Sequence, residues 1–415
     1  MGNSYLWKIL FIHWLVWGFI AMDRLLPIYF APMIMQDFQI NQYQFGLLMS
    51  GLTITWAIMA VVGGHLADRF GRAKVVFPSI IWFSATTLFS GFAQTFGQLF
   101  GLRALIGIGE GAYWGSGVAH VSEVWPEKKR GFALGFHQTG FPIIGTFIGG
   151  SIMAYVGMMW GWRSAFLVAG IAGIILSIIF KMTVRESKVF LESKGRQGAV
   201  ENQHKIQWSD MSQIYKNRNL LVNLAIVAFA MIGYWSVSTF MGVYLTETKG
   251  FNLAVAGGII GITGISGLLG QWFTAWYSDH IGRRAAYVIA TLCGTVGTLI
   301  IIAANSTAVL IIGLIITGYG IYGPLALGLA VIPGDVVDKR FVGTAAGVTM
   351  LVSELFGMTG PILGGRFNDM YGQTGSLWLG TAAFVIATLL VAALRETAPK
   401  FAARTQISGD HTRAV

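Results

Sequence analysis

Charged residues and cysteine are both scarce in this chain of 415 residues. Asp, Glu, Lys and Arg make up 11% of it, compared with roughly 25% in a soluble domain, whereas apolar residues make up 54%. The single cysteine, Cys293, excludes an intramolecular disulfide and a metal cluster built on several thiolates. This composition is typical of a membrane protein and leaves no room for a soluble domain of useful size.

Long apolar runs recur along the whole chain with short interruptions. A helix needs about 20 mostly apolar residues to cross a hydrocarbon core of roughly 30 Å, and twelve runs reach that length. The first run is too long for a signal-peptide core and lacks a small-residue cleavage site, so we interpret it as a retained span. The predicted spans are 9–30, 45–66, 75–94, 98–121, 131–157, 163–181, 220–246, 252–277, 284–303, 308–333, 341–366 and 375–394.

Lys and Arg are distributed unequally between the loops. A net charge of +10 is compatible with nucleic-acid binding, but basic residues resist translocation and therefore report orientation in membrane proteins. We place 23 of the 28 on one side and two, Arg24 and Arg103, inside spans; only Arg163, Lys249 and Arg366 fall on the other side. We therefore predict that both termini are cytoplasmic, that the basic loops contact anionic membrane lipids, and that nucleic acid is not a partner.

Two loop sequences recur at nearly the same offset. GGHLADRFGRAK follows the second span and WYSDHIGRR follows the eighth, so that Asp68 and Asp279 lie 211 residues apart. EKKRG with Arg130 follows the fourth span and DKRFVG with Arg340 follows the tenth, at an offset of 210. Two such matches indicate an internal duplication.

The duplication predicts two six-helix bundles, 1–181 and 220–394, joined by a cytoplasmic linker at 182–219 and followed by a cytoplasmic tail at 395–415. We expect solvated charges in the linker and assign it no chemistry. A transporter built from two parallel repeats binds its substrate near the bilayer midplane between them and opens alternately as one half rocks against the other.

The loop GGHLADRFGRAK resembles the loop signature of the major facilitator superfamily, and twelve spans with a central linker cover nearly the whole chain. The usual pattern is Gly, three residues, Asp, a basic residue, any residue, Gly and two basic residues; in the first copy Ala73 interrupts it, and the second copy lacks the leading Gly. The resemblance implies an all-α fold with two bundles related by a pseudo-two-fold axis. The matching residues are Gly64, Asp68, Arg69, Gly71 and Arg72 in the first copy and Asp279, Gly282, Arg283 and Arg284 in the second.

These loops have a physical interpretation as conformational gates. Gly64 removes a side chain where two helices could meet closely, and Asp68 at a helix end could pair with an arginine or lie at a neighbouring helix N-terminus. Together with Arg130, the loops are predicted to form a latch that favours one conformer. An ordinary solvated charged turn is the alternative.

Acidic residues also occur within the apolar runs. Asp23, Glu110 and Glu354 lie away from the span ends, and Glu123 and Asp335 lie closer to the predicted cytoplasmic edge. A charge at the bilayer centre costs about 2.5–3.5 kcal/mol on insertion scales, so such residues normally face a cavity or a partner. We do not expect all five to be accidental.

Four charged residues in the first and fourth helices have a spacing that indicates which helix faces they share. Arg103 and Glu110 are seven residues apart, so they share a helix face about 10 Å apart. Asp23 and Arg24 differ by about 100° in direction and need separate partners. The first and fourth helices would therefore supply two acids and two guanidinium groups to one region.

This set resembles one branch of the superfamily, the anion:cation symporters, which include sugar-acid importers and vesicular glutamate and sialic-acid carriers. In that branch an Asp-Arg or comparable arginine lies in the first helix, and an Arg followed seven residues later by Glu lies in the fourth; EVWPEKKRG resembles the loop after it. Some members carry a further basic residue in helix seven or a histidine in helix two; here the stretches AFAMIGYWSVSTFMGVYL of helix seven and GLLMSGLTITWAIMA of helix two contain neither.

Side-chain chemistry suits the arginines to substrate recognition and the acids to proton transfer. Arginine offers a planar fork that suits a carboxylate and stays protonated, whereas Asp and Glu can exchange a proton. We predict that Arg24 binds the substrate carboxylate, that Asp23 and Glu110 carry the proton, and that Arg103 tunes Glu110. Structural ion pairs that hold helices one and four together are the alternative.

Further candidates come from the remaining polar and aromatic residues. Gln138 in GFHQTGFP is a predicted substrate contact, and Tyr234 and Trp235 in helix seven could close the cavity from the second half. Glu354 is a candidate second proton site. His120 and His137 could titrate, but buried histidines are more often simply hydrogen-bonded.

No hydrolase, kinase or redox signature is present, and no phosphate-binding loop joined to a soluble domain indicates use of ATP. We therefore predict a transporter that is not an enzyme and needs no cofactor or metal. The predicted function is proton-coupled import of a small organic anion, a sugar acid or other monocarboxylate, by a monomer in the bacterial inner membrane. A proton/drug antiporter and a non-transporting nutrient sensor are the alternatives.

Overall fold

A computed structural model describes residues 3–195, 216–337, 341–398 and 400 of the chain. Helices account for most of these residues, and no β-strand occurs among them. Residues 196–215 of the predicted linker, Arg340, and the predicted tail except for 395–398 and 400 lie outside the described residues.

Nine α-helices and one π-helical segment form within residues 3–195. The π-helical segment, Phe141–Met153, joins α6 to α7, and Pro142 removes a backbone N–H donor at its start. The helices are α1 (Asn3–Tyr29), α2 (Ala31–Phe38), α3 (Gln42–Phe70), α4 (Arg72–Ser90), α5 (Phe96–Val124), α6 (Glu127–Gln138), α7 (Ala154–Trp160), α8 (Trp162–Thr183) and α9 (Lys188–Gly195).

Eight further α-helices form within the described residues from 216 onwards. Two π-helical turns, Tyr244–Thr248 and Leu327–Val331, continue α10 and α13 without a break. The helices are α10 (Arg218–Val243), α11 (Leu253–Ile281), α12 (Arg283–Ala303), α13 (Thr307–Ala326), α14 (Ile332–Val336), α15 (Val342–Gly357), α16 (Thr359–Tyr371) and α17 (Gly375–Val391).

Twelve membrane-spanning segments can be built from these helices, the number that the apolar runs predict. Ten continuous helical stretches in the described chain are long and apolar enough to cross a membrane. The other two are α5 and α17. The 29 residues of α5 would extend about 43 Å but include Arg103 and Glu110, and α17 is an apolar helix of 17 residues. The predicted all-α architecture is confirmed.

The internal duplication is visible in the backbone. All residues with positive φ in the described chain fall into three pairs separated by 211 residues. Each pair marks the same kind of turn between helices, where the left-handed region favours glycine. The pairs are Gln39 (φ 54°) with Gly250 (73°), Gly71 (116°) with Gly282 (97°), and Gly161 (83°) with Gly372 (80°).

Helix starts repeat at the same offset. The Asn41 side chain accepts a hydrogen bond from the Gln44 amide, and the Asn252 side chain accepts one from the Val255 amide. Thr95 caps α5 in this way, and Ser306 caps α13. Short polar side chains before an apolar run satisfy backbone donors that a helix start leaves free, so both copies begin their helices with the same chemistry.

The chain divides into two compact units. One comprises residues 1–205 with Thr239–Gly264, and the other comprises Ile206–Ser238 with residues 265–415. We refer to them as unit 1 and unit 2. These units are defined by packing and not by the sequence repeat, so they do not test the predicted bundle boundaries. Those boundaries remain predictions.

Glycines bring α3 and α5 into close contact within unit 1. A Cβ added at Gly115 would overlap the Ala60 carbonyl oxygen and lie 2.8 Å from the Gly64 amide nitrogen. At Gly64 itself, an added Cβ would meet the Gly115 Cα at 3.9 Å, an ordinary contact. The close approach of two helices expected at Gly64 is therefore present. The residue at which a side chain would prevent it is Gly115 of α5.

We expect Gly115→Ala to destabilise the protein by about 1–3 kcal/mol, because its methyl group would push two helix backbones apart. Gly101→Ala on the same helix is the matched control, since a Cβ there meets nothing within 4 Å. Removing that exposed glycine should leave stability unchanged or raise it by about 0.5–1 kcal/mol. Thermal unfolding in detergent measures both variants, and equal midpoints would contradict the packing described here.

Candidate functional site

Arg24 of α1 and Glu110 of α5 meet in the interior of unit 1. The Arg24 Nε donates a hydrogen bond to the Glu110 Oε2 at 2.8 Å, and both side chains are buried. The indole of Trp56, from α3, lies against the guanidinium, with its ring centroid 4.8 Å from the Arg24 Cζ. The sequence left open which acid meets which arginine, and the structure pairs these two.

Glycines around Glu110 explain how three helices converge there. A Cβ at Gly107 would overlap the Leu52 carbonyl oxygen of α3, and one at Gly109 would lie 2.8 Å from the Phe83 amide nitrogen of α4. A Cβ at Gly111 would overlap the Trp56 carbonyl oxygen of α3. The glycines flanking Glu110 thus admit neighbouring helices, so the carboxylate is enclosed by protein.

Arg103 lies beside the same cluster but bonds to backbone. Its Nη1 donates to the Asp23 carbonyl oxygen at 3.0 Å, and its Nη2 donates to the Arg24 carbonyl oxygen at 3.3 Å. The first of these carbonyls is available because Pro27, four residues later, has no N–H to occupy it. Arg103 therefore completes a helix turn that proline interrupts, a contact that Pro27 could have signalled in the sequence.

Asp23 is the fourth member of the cluster. It is 3% exposed, and Arg103 and Thr87 lie near its carboxyl group, with Glu110 and Arg24 also nearby. Within the described residues, neither carboxyl oxygen has a hydrogen-bond donor within 3.5 Å in bonding geometry. We call Asp23, Arg24, Arg103 and Glu110 the charge cluster. With two acids and two arginines, it carries no formal net charge when all four groups are ionised.

The other predicted substrate and proton residues belong to other helices. Gln138 is half-buried at the C-terminal end of α6 in unit 1. Tyr234 and Trp235 are buried in unit 2 with their ring centroids 4.7 Å apart, and Glu354 of α15 is buried in the same unit. Their roles remain predictions.

The first predicted gate forms a bonded network at the junction of α3 and α4. Arg72 makes an ion pair with Asp68, and its Nε and Nη2 donate to the Glu123 Oε1 of α5 at 3.0 and 2.9 Å. The Glu186 carboxylate, beyond α8, accepts hydrogen bonds from the Arg72 and Ala73 amides at 2.8 and 3.1 Å. We call Asp68, Arg72, Glu123 and Glu186 the first latch.

The second gate repeats this arrangement in unit 2. Arg283 pairs with Asp279, and its Nε donates to the Asp335 Oδ2 at 3.0 Å. Glu396 accepts hydrogen bonds from the Arg283 and Arg284 amides at 2.8 and 3.2 Å. We call Asp279, Arg283, Asp335 and Glu396 the second latch.

Glycine is required at the turn of each latch. Gly71 and Gly282 have positive φ, and a Cβ at either one would collide with the carboxylate that caps the following helix. An added Cβ at Gly282 would lie 2.5 Å from the Glu396 Oε2, and one at Gly71 would overlap the Glu186 Oε2. Both carboxylates lie at helix N-termini, where backbone donors and the helix dipole favour negative charge.

Two latch residues were missed from the sequence. The linker charges were expected to be solvated, but Glu186 is bonded to the start of α4, and Glu396 is bonded to the start of α12. The signal was available, because VRES at 184–187 and LRET at 394–397 repeat at an offset of 210 residues.

The remaining gate residues make other contacts. The Arg130 Nε donates to the Ser122 carbonyl oxygen at 2.8 Å, and the Arg69 Cζ lies 5.3 Å from the centroid of the Phe70 ring. Arg340 lies outside the described residues. Gating roles for Arg69 and Arg130 remain predictions.

Comparison with known proteins places this architecture in a family. The family model described as Major Facilitator Superfamily matches residues 10–361 and 268–411. Sialic acid transporter NanX of Escherichia coli (strain K12) is 24% identical over 395 residues, which cover 92% of this chain and 93% of that protein. Probable galactarate/D-glucarate transporter GudP of Bacillus subtilis (strain 168) is 27% identical over 422 residues, which cover 94% and 91%.

Solved structures share the fold at lower identity. A bacterial homolog of the human lysosomal transporter Spinster, inward-facing and occupied, superposes with a TM-score of 0.78 at 17% identity and covers 95% of this chain and 97% of that one. The xylose transporter XylE from E. coli superposes with a TM-score of 0.75 at 17% identity, covering 95% and 99%. The chain therefore belongs to the Major Facilitator Superfamily and is a multi-pass membrane transporter.

Proposed function

We propose that the protein imports a small organic anion, a sugar acid or other monocarboxylate, together with protons across the cytoplasmic membrane of a bacterium. The observation that carries this proposal is the buried bond between Arg24 and Glu110. Relatives whose names specify sialic acid and galactarate/D-glucarate support a carboxylate as the transported group. Cytoplasmic termini, as the basic loops predict, complete the proposal.

Substrate recognition follows from competition for one guanidinium. The Arg24 Nε is occupied by Glu110, and a substrate carboxylate offers the same acceptor chemistry in a form that can make two parallel hydrogen bonds. A substrate that takes the guanidinium removes the counter-charge from Glu110. Because an ionised carboxylate is unfavourable in buried surroundings without its partner, Glu110 then takes up a proton.

Proton coupling is a consequence of keeping the cluster neutral. Substrate binding adds one negative charge to a group of four residues whose formal charges cancel, and one proton on Glu110 or Asp23 restores the balance. Arg103 is held by the backbone carbonyls of Asp23 and Arg24. It therefore stays in place while Arg24 changes partner, and it stabilises whichever carboxylate remains ionised.

The two latches are proposed to stabilise one conformer. Each ties a turn between two helices to a third helix and to the segment after a fourth, through charge-assisted hydrogen bonds. Movement of any of these helices breaks several bonds at once. Release of the latches would accompany the change that opens the transporter to the other side of the membrane.

Arg24→Lys should reduce carboxylate uptake about 10- to 100-fold, because an ammonium cannot reproduce the guanidinium fork and one strong hydrogen bond is lost. Uptake of radiolabelled D-galactonate, D-glucarate, sialic acid and cis,cis-muconate into proteoliposomes under an imposed pH gradient measures the effect. Arg366→Lys, at an exposed position, is the matched control. Unchanged uptake by Arg24→Lys would remove the recognition role, and a wild-type protein that imports none of the four acids would contradict the proposed function.

Glu110→Gln should abolish accumulation driven by a pH gradient while counterflow exchange of substrate across the vesicle membrane persists. An amide keeps the shape of the side chain but cannot carry a proton, and exchange requires no net proton movement. Glu192→Gln, at an exposed position on α9, should leave both activities unchanged. A Glu110→Gln protein that still accumulates substrate on a pH gradient would show that the proton is carried elsewhere.

Arg72 and Glu123 should be energetically coupled. A double-mutant cycle with Arg72→Gln and Glu123→Gln is expected to give a coupling free energy of about 0.5–3 kcal/mol, because the two side chains share hydrogen bonds. Thermal unfolding in detergent supplies the four stabilities. The pair Arg72→Gln and Glu192→Gln should be additive, and additivity of the first pair would rule out a bonded latch.

A further inference from the structure

A chain of buried titratable side chains runs beside the charge cluster in unit 1, and neither the recognition step nor the latches use it. Its four members are His137, Tyr113, His13 and His120, and each is 0% exposed. The Tyr113 hydroxyl lies 3.1 Å from the His137 Nε2 and 3.1 Å from the His13 Nδ1. The His13 Nε2 lies 3.0 Å from the His120 Nδ1, and the His120 Nε2 lies 3.1 Å from the Arg185 carbonyl oxygen. We call these four side chains the histidine chain.

One arrangement of protons satisfies the four contacts from His137 to the Arg185 carbonyl when all four groups are neutral. The Arg185 carbonyl can only accept, so the His120 Nε2 must carry a hydrogen, and the Nδ1 of a neutral His120 must accept. The His13 Nε2–H then donates to it, which leaves the His13 Nδ1 to accept from the Tyr113 hydroxyl. Finally the His137 Nε2–H donates to the Tyr113 oxygen. Every hydrogen in the chain points towards Arg185.

The same heavy-atom positions also accommodate one extra proton. If the His120 Nδ1 carries a hydrogen as well as the Nε2, the His13 Nε2 accepts it and the His13 Nδ1–H points back at Tyr113. The Tyr113 hydroxyl then donates to the His137 Nε2 or to the His13 carbonyl oxygen, which lies 3.0 Å away. The four contacts along the chain are hydrogen-bonded both before and after it gains a proton, so a proton can pass without movement of the heavy atoms.

Orphaned polar atoms occur in the charge cluster, in the histidine chain and in two tryptophans that contact them. Within the described residues, the Glu110 Oε1, the Nε1 atoms of Trp56 and Trp17, and the His137 Nδ1 are buried and have no hydrogen-bond partner. Buried polar atoms are normally satisfied by protein or by ordered water. Two of the four are acceptors, on Glu110 and His137, and the other two are indole donors.

Aromatic rings connect the charge cluster to the histidine chain. Trp56, which lies against Arg24, is 6.1 Å from Trp114 between ring centroids, and Trp114 is 4.7 Å from Trp17. Trp17 stacks on His137 at 5.8 Å. The three indoles therefore form a continuous series of contacts from Arg24 to His137.

The far end of the histidine chain adjoins the first latch. The charged groups that act on His120 are those of Glu186, Glu123 and Arg72. Those that act on His13 are His120 and His137, and Tyr113 contacts both His13 and His137. On the predicted orientation, this end of unit 1 faces the cytoplasm.

We propose that the histidine chain is the exit route by which a proton carried on Glu110 reaches the cytoplasm. This inference rests on the proposed proton coupling and adds the path and its residues. Water hydrogen-bonded to the four orphaned atoms would complete the connection between Glu110 and His137. The carboxylates of Glu123 and Glu186 at the exit attract the proton as it leaves.

The transfer balances without any further reactant. The Glu110 carboxyl loses its proton, the O–H bond breaks, and an N–H bond forms at the His137 Nδ1. The His137 Nε2 hydrogen passes to the Tyr113 oxygen, the Tyr113 hydrogen to the His13 Nδ1, and the His13 Nε2 hydrogen to the His120 Nδ1. His120 then releases its Nε2 hydrogen to water. Rotation of the hydroxyl and shifts of the ring tautomers restore the starting arrangement.

Tyr113→Phe breaks the chain at one atom and provides the test. Proteoliposomes with an internal pH indicator report proton entry. The substrate is whichever of D-galactonate, D-glucarate, sialic acid and cis,cis-muconate the wild-type protein accumulates most. We expect Tyr113→Phe to reduce both substrate-dependent proton entry and accumulation at least 10-fold while counterflow exchange stays within about 2-fold of wild type. Tyr113→Phe with wild-type proton entry would overturn the inference.

Two further variants keep the test decisive. His13→Gln and His120→Gln retain an amide for hydrogen bonding but cannot relay a proton, so each should separate exchange from accumulation in the same way. If all three variants lose exchange together with accumulation, the histidine chain is a structural network and the inference fails. A wild-type protein that shows no proton entry with substrate would instead contradict the proposed function itself.

Matched controls come from hydroxyl and imidazole groups outside the histidine chain. Tyr287→Phe removes an equally buried hydroxyl that donates to the Asn223 Oδ1 at 3.0 Å in unit 2. His65→Gln removes an imidazole at an exposed position on α3. Both proteins should retain coupled uptake, and an equal loss of coupling in Tyr287→Phe would overturn the inference, because the effect of Tyr113→Phe would not be specific to the histidine chain.

Discussion

The bond between the Arg24 guanidinium and the Glu110 carboxylate is the constraint on which the interior of unit 1 depends. Neither ion would be stable alone in these surroundings, so each requires the other or a substitute of the same charge. The glycines beside Glu110 admit α3 and α4, Trp56 covers the guanidinium, and Arg103 bonds to the carbonyl that Pro27 leaves free. In the proposed function, a substrate carboxylate acts on this site because the substrate and Glu110 need the same partner.

One helix carries residues of the charge cluster, the histidine chain and the first latch. Along α5, Arg103 and Glu110 belong to the charge cluster, Tyr113 and His120 to the histidine chain, and Glu123 to the first latch. Successive members are seven or three residues apart, which keeps neighbouring members on adjoining faces of the helix. In the proposed mechanism, the residues for all three steps are therefore held by a single helix.

The duplication preserved the latches and changed the cluster. Both copies keep an acid, an arginine, a positive-φ glycine and a capping glutamate at offsets of 210 to 212 residues. At the same offset, Asp23 and Arg24 correspond to Tyr234 and Trp235, and Glu110 corresponds to Ile321. The turn geometry is needed in both units, so its residues are retained. Buried ionic groups are needed only where they act, so one copy has aromatic and aliphatic side chains instead.

Composition and periodicity by themselves determined twelve apolar helices, the duplication, the latch loops and the four residues of the charge cluster, because a buried charge in an apolar run is conspicuous in any sequence. Only the tertiary structure decided that Arg24 pairs with Glu110, that Arg103 bonds to backbone, that Glu186 and Glu396 cap distant helices, and that His13 joins His120 through ring nitrogens. These partners are 79 to 114 residues apart along the chain. Sequence spacing defines the faces of one helix, but the rotation and depth at which two helices pack determine which atoms meet.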